Sequence, residues 1–157
     1  MKPVSSGYAD VNSIRLYHEI HGQGEPPVLI HGRLTTIGEI EGWVQPLATT
    51  RQVIAVEMQG HGRTADTDRP ITFRTMGDDI AALLDHLKIP KADLVGHSFG
   101  GASAIRAATQ HPDHVRRLVV ISSPHAQARL VSGGARGHEP GQRRSVFYSS
   151  STSLEKR

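Results

Sequence analysis

The chain has 157 residues, 37% of them hydrophobic, and a formal net charge of +3, which allows one good core and one domain. With no cysteine it excludes disulfides, zinc–thiolate sites and a cysteine nucleophile, and no run approaches the roughly 18 apolar residues of a membrane span. The charge is uneven: residues 1–125 carry 12 Lys/Arg against 13 Asp/Glu, and residues 126–157 carry 6 against 2, so the basic character belongs to the tail. Lacking interleaved aromatics, that tail is expected to be solvated and disordered rather than a nucleic-acid or membrane-binding surface. The N-terminal Met1-Lys2-Pro3-Val4-Ser5-Ser6 is not followed by the apolar core of a signal peptide. A cytoplasmic location is expected.

In chain order, Ser13 to Ile20 alternates with period two and predicts a half-buried strand. A Gly/Pro turn over 22–27 leads into Val28-Leu29-Ile30, a short apolar strand of the kind buried on both faces. Residues 39–49 predict a helix with Trp43, Val44 and Leu47 inward and Pro46 weakening it. Val53-Ile54-Ala55-Val56 predicts a second buried strand, followed by the loop Gly60-His61-Gly62-Arg63-Thr64. Thr72 is placed to cap a helix in which Phe73, Met76, Ile80, Leu83, Leu84 and Leu87 recur at three- and four-residue steps. Asp78, Asp79, Asp85 and His86 fall on its wet side, and Pro90 stops it.

Asp93-Leu94-Val95 then predicts a strand, Gly101 to about Gln110 an alanine-rich helix ended by Pro112, and Leu118-Val119-Val120-Ile121 a further buried strand. Strands alternating with helices predict an α/β fold with a mostly parallel sheet covered on both faces. From Ser122 the periodicity stops. Residues 1–124 are therefore expected to form the core and 125–157 a disordered basic tail.

Between the strand and the alanine-rich helix lies Gly96-His97-Ser98-Phe99-Gly100. This G-x-S-x-G pattern in strand–turn–helix context lifts a serine onto a tight turn and exposes it as a nucleophile. Glycines two residues either side of Ser98 let neighbouring backbone pass without a Cβ. The hydroxyl would then stand at the carboxyl edge of the sheet, where α/β folds bind ligands, with a helix N-terminus behind it to favour developing negative charge. The Phe99 N–H is the expected first oxyanion donor. The second is expected from the loop after Val28-Leu29-Ile30: the N–H of Arg33, with Leu34 as the alternative. A dinucleotide-binding role is disfavoured, because no G-x-G-x-x-G follows the first buried strand.

With these motifs, and with His31-Gly32 ending one strand and His111-Pro112 preceding Arg116-Arg117-Leu118-Val119-Val120-Ile121-Ser122, the sequence resembles the α/β-hydrolase superfamily from about Gly7 to Pro124. The resemblance makes His31-Gly32 the oxyanion-loop turn and Gly60 to Thr64 the glycine-rich loop. It implies hydrolysis of an ester, amide, epoxide or carbon–carbon bond of a small molecule through an acyl-enzyme, or a related perhydrolase activity. No cofactor and no metal are expected. Members carry an acid and then a histidine after the serine, whereas here only Asp113, Glu139 and Glu155, and His111, His114, His125 and His138, follow Ser98. Asp113 is expected at the far end of its helix. Among earlier histidines, His97 is read as packing the elbow, His31 as structural and His61 as a loop residue near the mouth of the site.

The acid and base are thus unassigned, and the α/β-hydrolase sheet is expected to be incomplete, with the last strands and lid missing, through a premature or shifted reading frame. Leu118 to Ile121 would then be an exposed apolar edge through which the chain self-associates. The alternatives are a non-catalytic hydrolase-like protein that binds a ligand and an inactive fragment.

Overall fold

The computed structural model describes residues 2–123 and 146–149. Seven strands form one sheet in the order β1-β2-β4-β3-β5-β6-β7: β1 Ser5–Val11, β2 Ile14–His21, β3 Pro27–Ile30, β4 Val53–Val56, β5 Ala92–His97, β6 Val115–Ile121 and β7 Val146–Ser149. β1 pairs with β2, and β2 with β4, antiparallel; every other neighbouring pair is parallel. The β1–β2 hairpin turns on Asn12 and Ser13, both at positive φ (45° and 66°), the backbone that a two-residue hairpin loop requires. Composition hides β1, because its inward positions at the C-terminal end are the modest Ala9 and Val11.

Among the described residues, three α-helices cover the sheet: α1 Ile37–Leu47, α2 Phe73–His86 and α3 Phe99–Gln110. Alternation along the buried strands divides the core into two layers. Leu29, Val53 and Ala55 face α1, where they meet Ile37, Ile40 and Val44. Val28, Ile30, Ile54, Val56, Leu94 and Val120 face α2 and α3, where they meet Met76, Ile80, Leu83 and Ala104. α1 starts two residues earlier than its periodicity predicts, capped by Thr36, and Pro46 is tolerated in its last turn. α2 carries the predicted cap: the Thr72 side chain accepts the Thr75 N–H, and Thr75 reciprocates. α2 and α3 approach closely at Gly77, where a Cβ would lie 2.8 Å from the Ala107 nitrogen.

Two expectations are corrected. Asp79 is not on the wet side of α2 but fully buried, because Arg69 forks onto both of its oxygens (2.8 and 2.7 Å) and Asn12 donates to it. The sheet also does not stop at β6. Leu118 to Ile121 pair in parallel register with Val146 to Ser149, so β7 follows β6 and is the last strand among the described residues. The β-branched and aromatic run Val146-Phe147-Tyr148 suits a strand, whereas the weak patterning around it predicts disorder. The rest of the expected tail, including His125, His138, Glu139 and Glu155, falls outside the described residues.

Candidate active site

Parallel register aligns the carboxyl ends of the central strands: Ile30 pairs with Val56 and with Gly96, and Gly96 with Val120. Whatever follows these strands is therefore gathered on one edge. It comprises the turn at His31-Gly32, the loop from Glu57, Ser98 and Ser122. Ser98 stands between the last residue of β5 and the first of α3, half-buried, at φ 50° and ψ −111°. That backbone is rare for a residue with a Cβ. Its N–H donates to the Ile121 carbonyl (2.8 Å), and its carbonyl accepts the Gly101 N–H (3.0 Å), so both ends of the turn are tied.

The glycines around the serine are dictated by space. A Cβ on Gly96 would come within 2.7 Å of the Gly101 Cα, and one on Gly100 within 2.7 Å of the Ile30 carbonyl carbon. A Cβ on Gly32 would lie 3.1 Å from the His97 ring and 3.7 Å from the Ser98 Cβ. The His31-Gly32 turn is thus pressed against the elbow, which brings the Arg33 loop beside Ser98. The Phe99 N–H opens α3 and has no acceptor within the helix.

His31 is fully buried. Its Nδ1 donates to the Gly32 carbonyl (2.7 Å), and its Nε2 accepts the Met58 N–H (3.1 Å). Burial pushes its pKa below the ordinary imidazole value, against the pull of the Gly32 carbonyl. Neutral and committed at both nitrogens, it holds the turn. His97 packs edge-on against Trp43, with ring centroids 5.6 Å apart, in keeping with a packing role. His61 donates from Nδ1 to the Gln59 carbonyl (2.9 Å) and accepts the Leu34 N–H at Nε2 (3.2 Å). That last bond was not legible in the sequence.

The later candidates among the described residues, His111, Asp113 and His114, lie away from Ser98. Asp113 belongs to the 3-10 turn Pro112–His114 that precedes β6, at the opposite edge of the sheet. His111 and His114 pair with Asp78 (2.7 Å) and Asp85 (2.9 Å) of α2. No described residue completes an acid–histidine pair at the elbow. Among the described residues no group of three or more His, Cys, Asp or Glu could hold a metal ion, and no helix is long and apolar enough to cross a membrane.

The Glu57–Thr64 loop is braced by bonds that periodicity in the sequence does not predict. The buried Glu57 carboxylate accepts from the Arg63 N–H (2.6 Å), Nε (2.9 Å) and second guanidinium nitrogen (2.7 Å). Burial raises the pKa of Glu57, but these bonds outweigh it and leave it below the usual carboxylate value. Gly62 takes φ 53°, where a Cβ would run into that carboxylate. The only clue in the sequence is the Glu57-to-Arg63 spacing across two glycines.

A family model described as the alpha/beta hydrolase fold matches residues 26–155. The chain is 38% identical over 116 residues to 2-hydroxymuconate semialdehyde hydrolase of Pseudomonas sp. (strain CF600), covering 71% of this chain and 41% of that protein. It is also 38% identical over 111 residues to the dihydrolipoyllysine-residue acetyltransferase component of the acetoin cleaving system of Pseudomonas putida, covering 68% and 29%. Among solved structures, the enol-lactonase from Burkholderia xenovorans LB400 superposes with a TM-score of 0.71 at 28% identity, covering 74% of this chain and 46% of that one. The chain spans less than half the length of each of these relatives.

Proposed function

The chain belongs to the alpha/beta hydrolase fold family, and on that premise we propose that it is a serine hydrolase acting on a small ester-like or related substrate through an acyl-enzyme. Ser98 Oγ attacks the acyl carbon and loses its proton to a base. The acyl oxygen gathers negative charge between the N–H groups of Phe99 and Arg33. The leaving group departs with a proton, and water releases the acyl group from Ser98. Leu34 is set aside as donor because its N–H is spent on His61. The chemistry needs no cofactor and no metal. A cytoplasmic location is part of this proposal, and a chain without cysteine is compatible with it.

The observation that carries the reading is the Ser98 backbone at φ 50° and ψ −111° between a parallel strand and a helix. No described residue is assigned as base or acid. Without a base a serine hydroxyl is a poor nucleophile at neutral pH, and an oxyanion hole with binding alone gives about 10³–10⁴-fold over water. The second reading, a hydrolase-like protein that binds a ligand without turning it over, is favoured by the commitment of both nitrogens of His31 and of His61. A fluorophosphonate probe separates the two. Covalent labelling that disappears in Ser98→Ala supports the hydrolase; an unlabelled protein that still binds small apolar ligands supports its rival.

A further inference from the structure

We propose that His61 is a positioning residue: it clamps the loop that carries the Arg33 N–H and thereby sets the spacing of the two oxyanion donors. This rests on the reading of Ser98 as nucleophile given above.

His61 is mounted on a rigid base. Its own N–H donates to the Met58 carbonyl and its carbonyl accepts the Thr64 N–H, both at 3.0 Å. Thr64 in turn donates to the Glu57 carbonyl and accepts the Tyr17 N–H from β2 (2.8 Å). Arg63 binds Glu57 through three nitrogens and Glu19 of β2 at 2.9 Å, so charge-assisted bonds close the loop on itself and tie it to the sheet.

From that base the ring reaches the other loop. Because Nδ1 donates to the Gln59 carbonyl, Nε2 is left with a lone pair, and Leu34 donates its N–H there. Leu34 is held at φ 60°, a left-handed backbone unfavourable for an L residue other than glycine. Leu34 is 85% exposed, so packing does not impose that conformation. On the other side of Arg33, the Gly32 carbonyl is pinned by His31 Nδ1 and by the Thr35 hydroxyl (2.9 Å). Arg33 is therefore clamped by Gly32 before it and Leu34 after it. The His61 ring also lies 5.0 Å from that of His31 and 6.0 Å from that of Phe99, so one imidazole touches the elements that carry both donors. A misplacement of about 1 Å in such a site costs on the order of 100-fold in rate.

The test uses the whole chain at pH 7.5. In ¹⁵N-labelled protein, a coupling across the hydrogen bond between the Leu34 backbone nitrogen and His61 Nε2 is expected. His61→Phe keeps a ring and removes the acceptor, whereas His61→Gln restores an acceptor oxygen. The Phe variant should react with the fluorophosphonate about 10–100-fold more slowly while keeping the wild-type circular dichroism spectrum, and the Gln variant should recover most of that rate. Wild-type labelling rates in the Phe variant, or no coupling in the wild-type protein, would overturn the inference. An unlabelled wild-type protein that shows the coupling overturns the Ser98 reading and leaves the hold of His61 on Leu34 supported. If the Phe variant does not fold, the coupling and the rate of the Gln variant decide.

Discussion

At Ser98 the chain accepts an unfavourable backbone and surrounds it with groups that leave no alternative. Gly96 and Gly100 remove the Cβ atoms that would collide, and the Ile121 carbonyl takes the serine N–H. The sequence declares this much, because only glycine fits those two positions. It does not declare Arg69–Asp79, an ion pair ten residues apart whose carboxylate falls at an apparently wet helical position. Helical periodicity assigns Asp79 by angle alone, while the burial is decided by an arginine from a loop. Removing one partner of a buried pair strands the other. Asp79→Ala should therefore cost about 3–5 kcal/mol in urea unfolding. A loss below about 1 kcal/mol would show that Arg69 finds water instead.

Among the elements, the helices and central strands were legible because their signals are periodic and local: the apolar ladder of α2, the Thr72 cap, and the continuous apolar runs of β3 and β4. β1 and β7 were not. β1 is a small-residue strand defined mainly by its hairpin, and β7 is a short segment whose partner lies more than twenty residues earlier. Pairing with β7 protects β6, and among the described residues β7 is the last strand of the sheet; an outer edge of that kind would be a template for a second copy of the chain. Size exclusion with light scattering should show a dimer fraction that rises with concentration. A monomer throughout, or an unchanged profile after Tyr148→Pro at that edge, would argue against self-pairing there.

For the molecule as a whole, buried histidines set a pH limit on stability. Burial lowers the pKa of His18, against the pull of the Leu16 backbone and with help from nearby His86, and burial likewise lowers that of His31. Both rings are neutral in the fold, while the unfolded chain takes up protons below about pH 6.5. The stability they confer is complete above that pH and is lost as pH falls from there toward the depressed folded values. Unfolding free energies from urea titrations should fall between pH 7.5 and 5.5, with a limiting slope of about 1.4 kcal/mol per pH unit for each histidine. His18→Gln should flatten that slope, and a midpoint that rises on acidification would contradict the assignment. Function hangs on something more local, the reactivity of one hydroxyl. The most direct measurement is intact-mass and peptide mapping of the 157-residue chain after exposure to a fluorophosphonate at pH 7.5. A single adduct on Ser98, absent from Ser98→Ala, is the predicted result. A folded protein that stays unmodified, or carries its adduct on another residue, would contradict it.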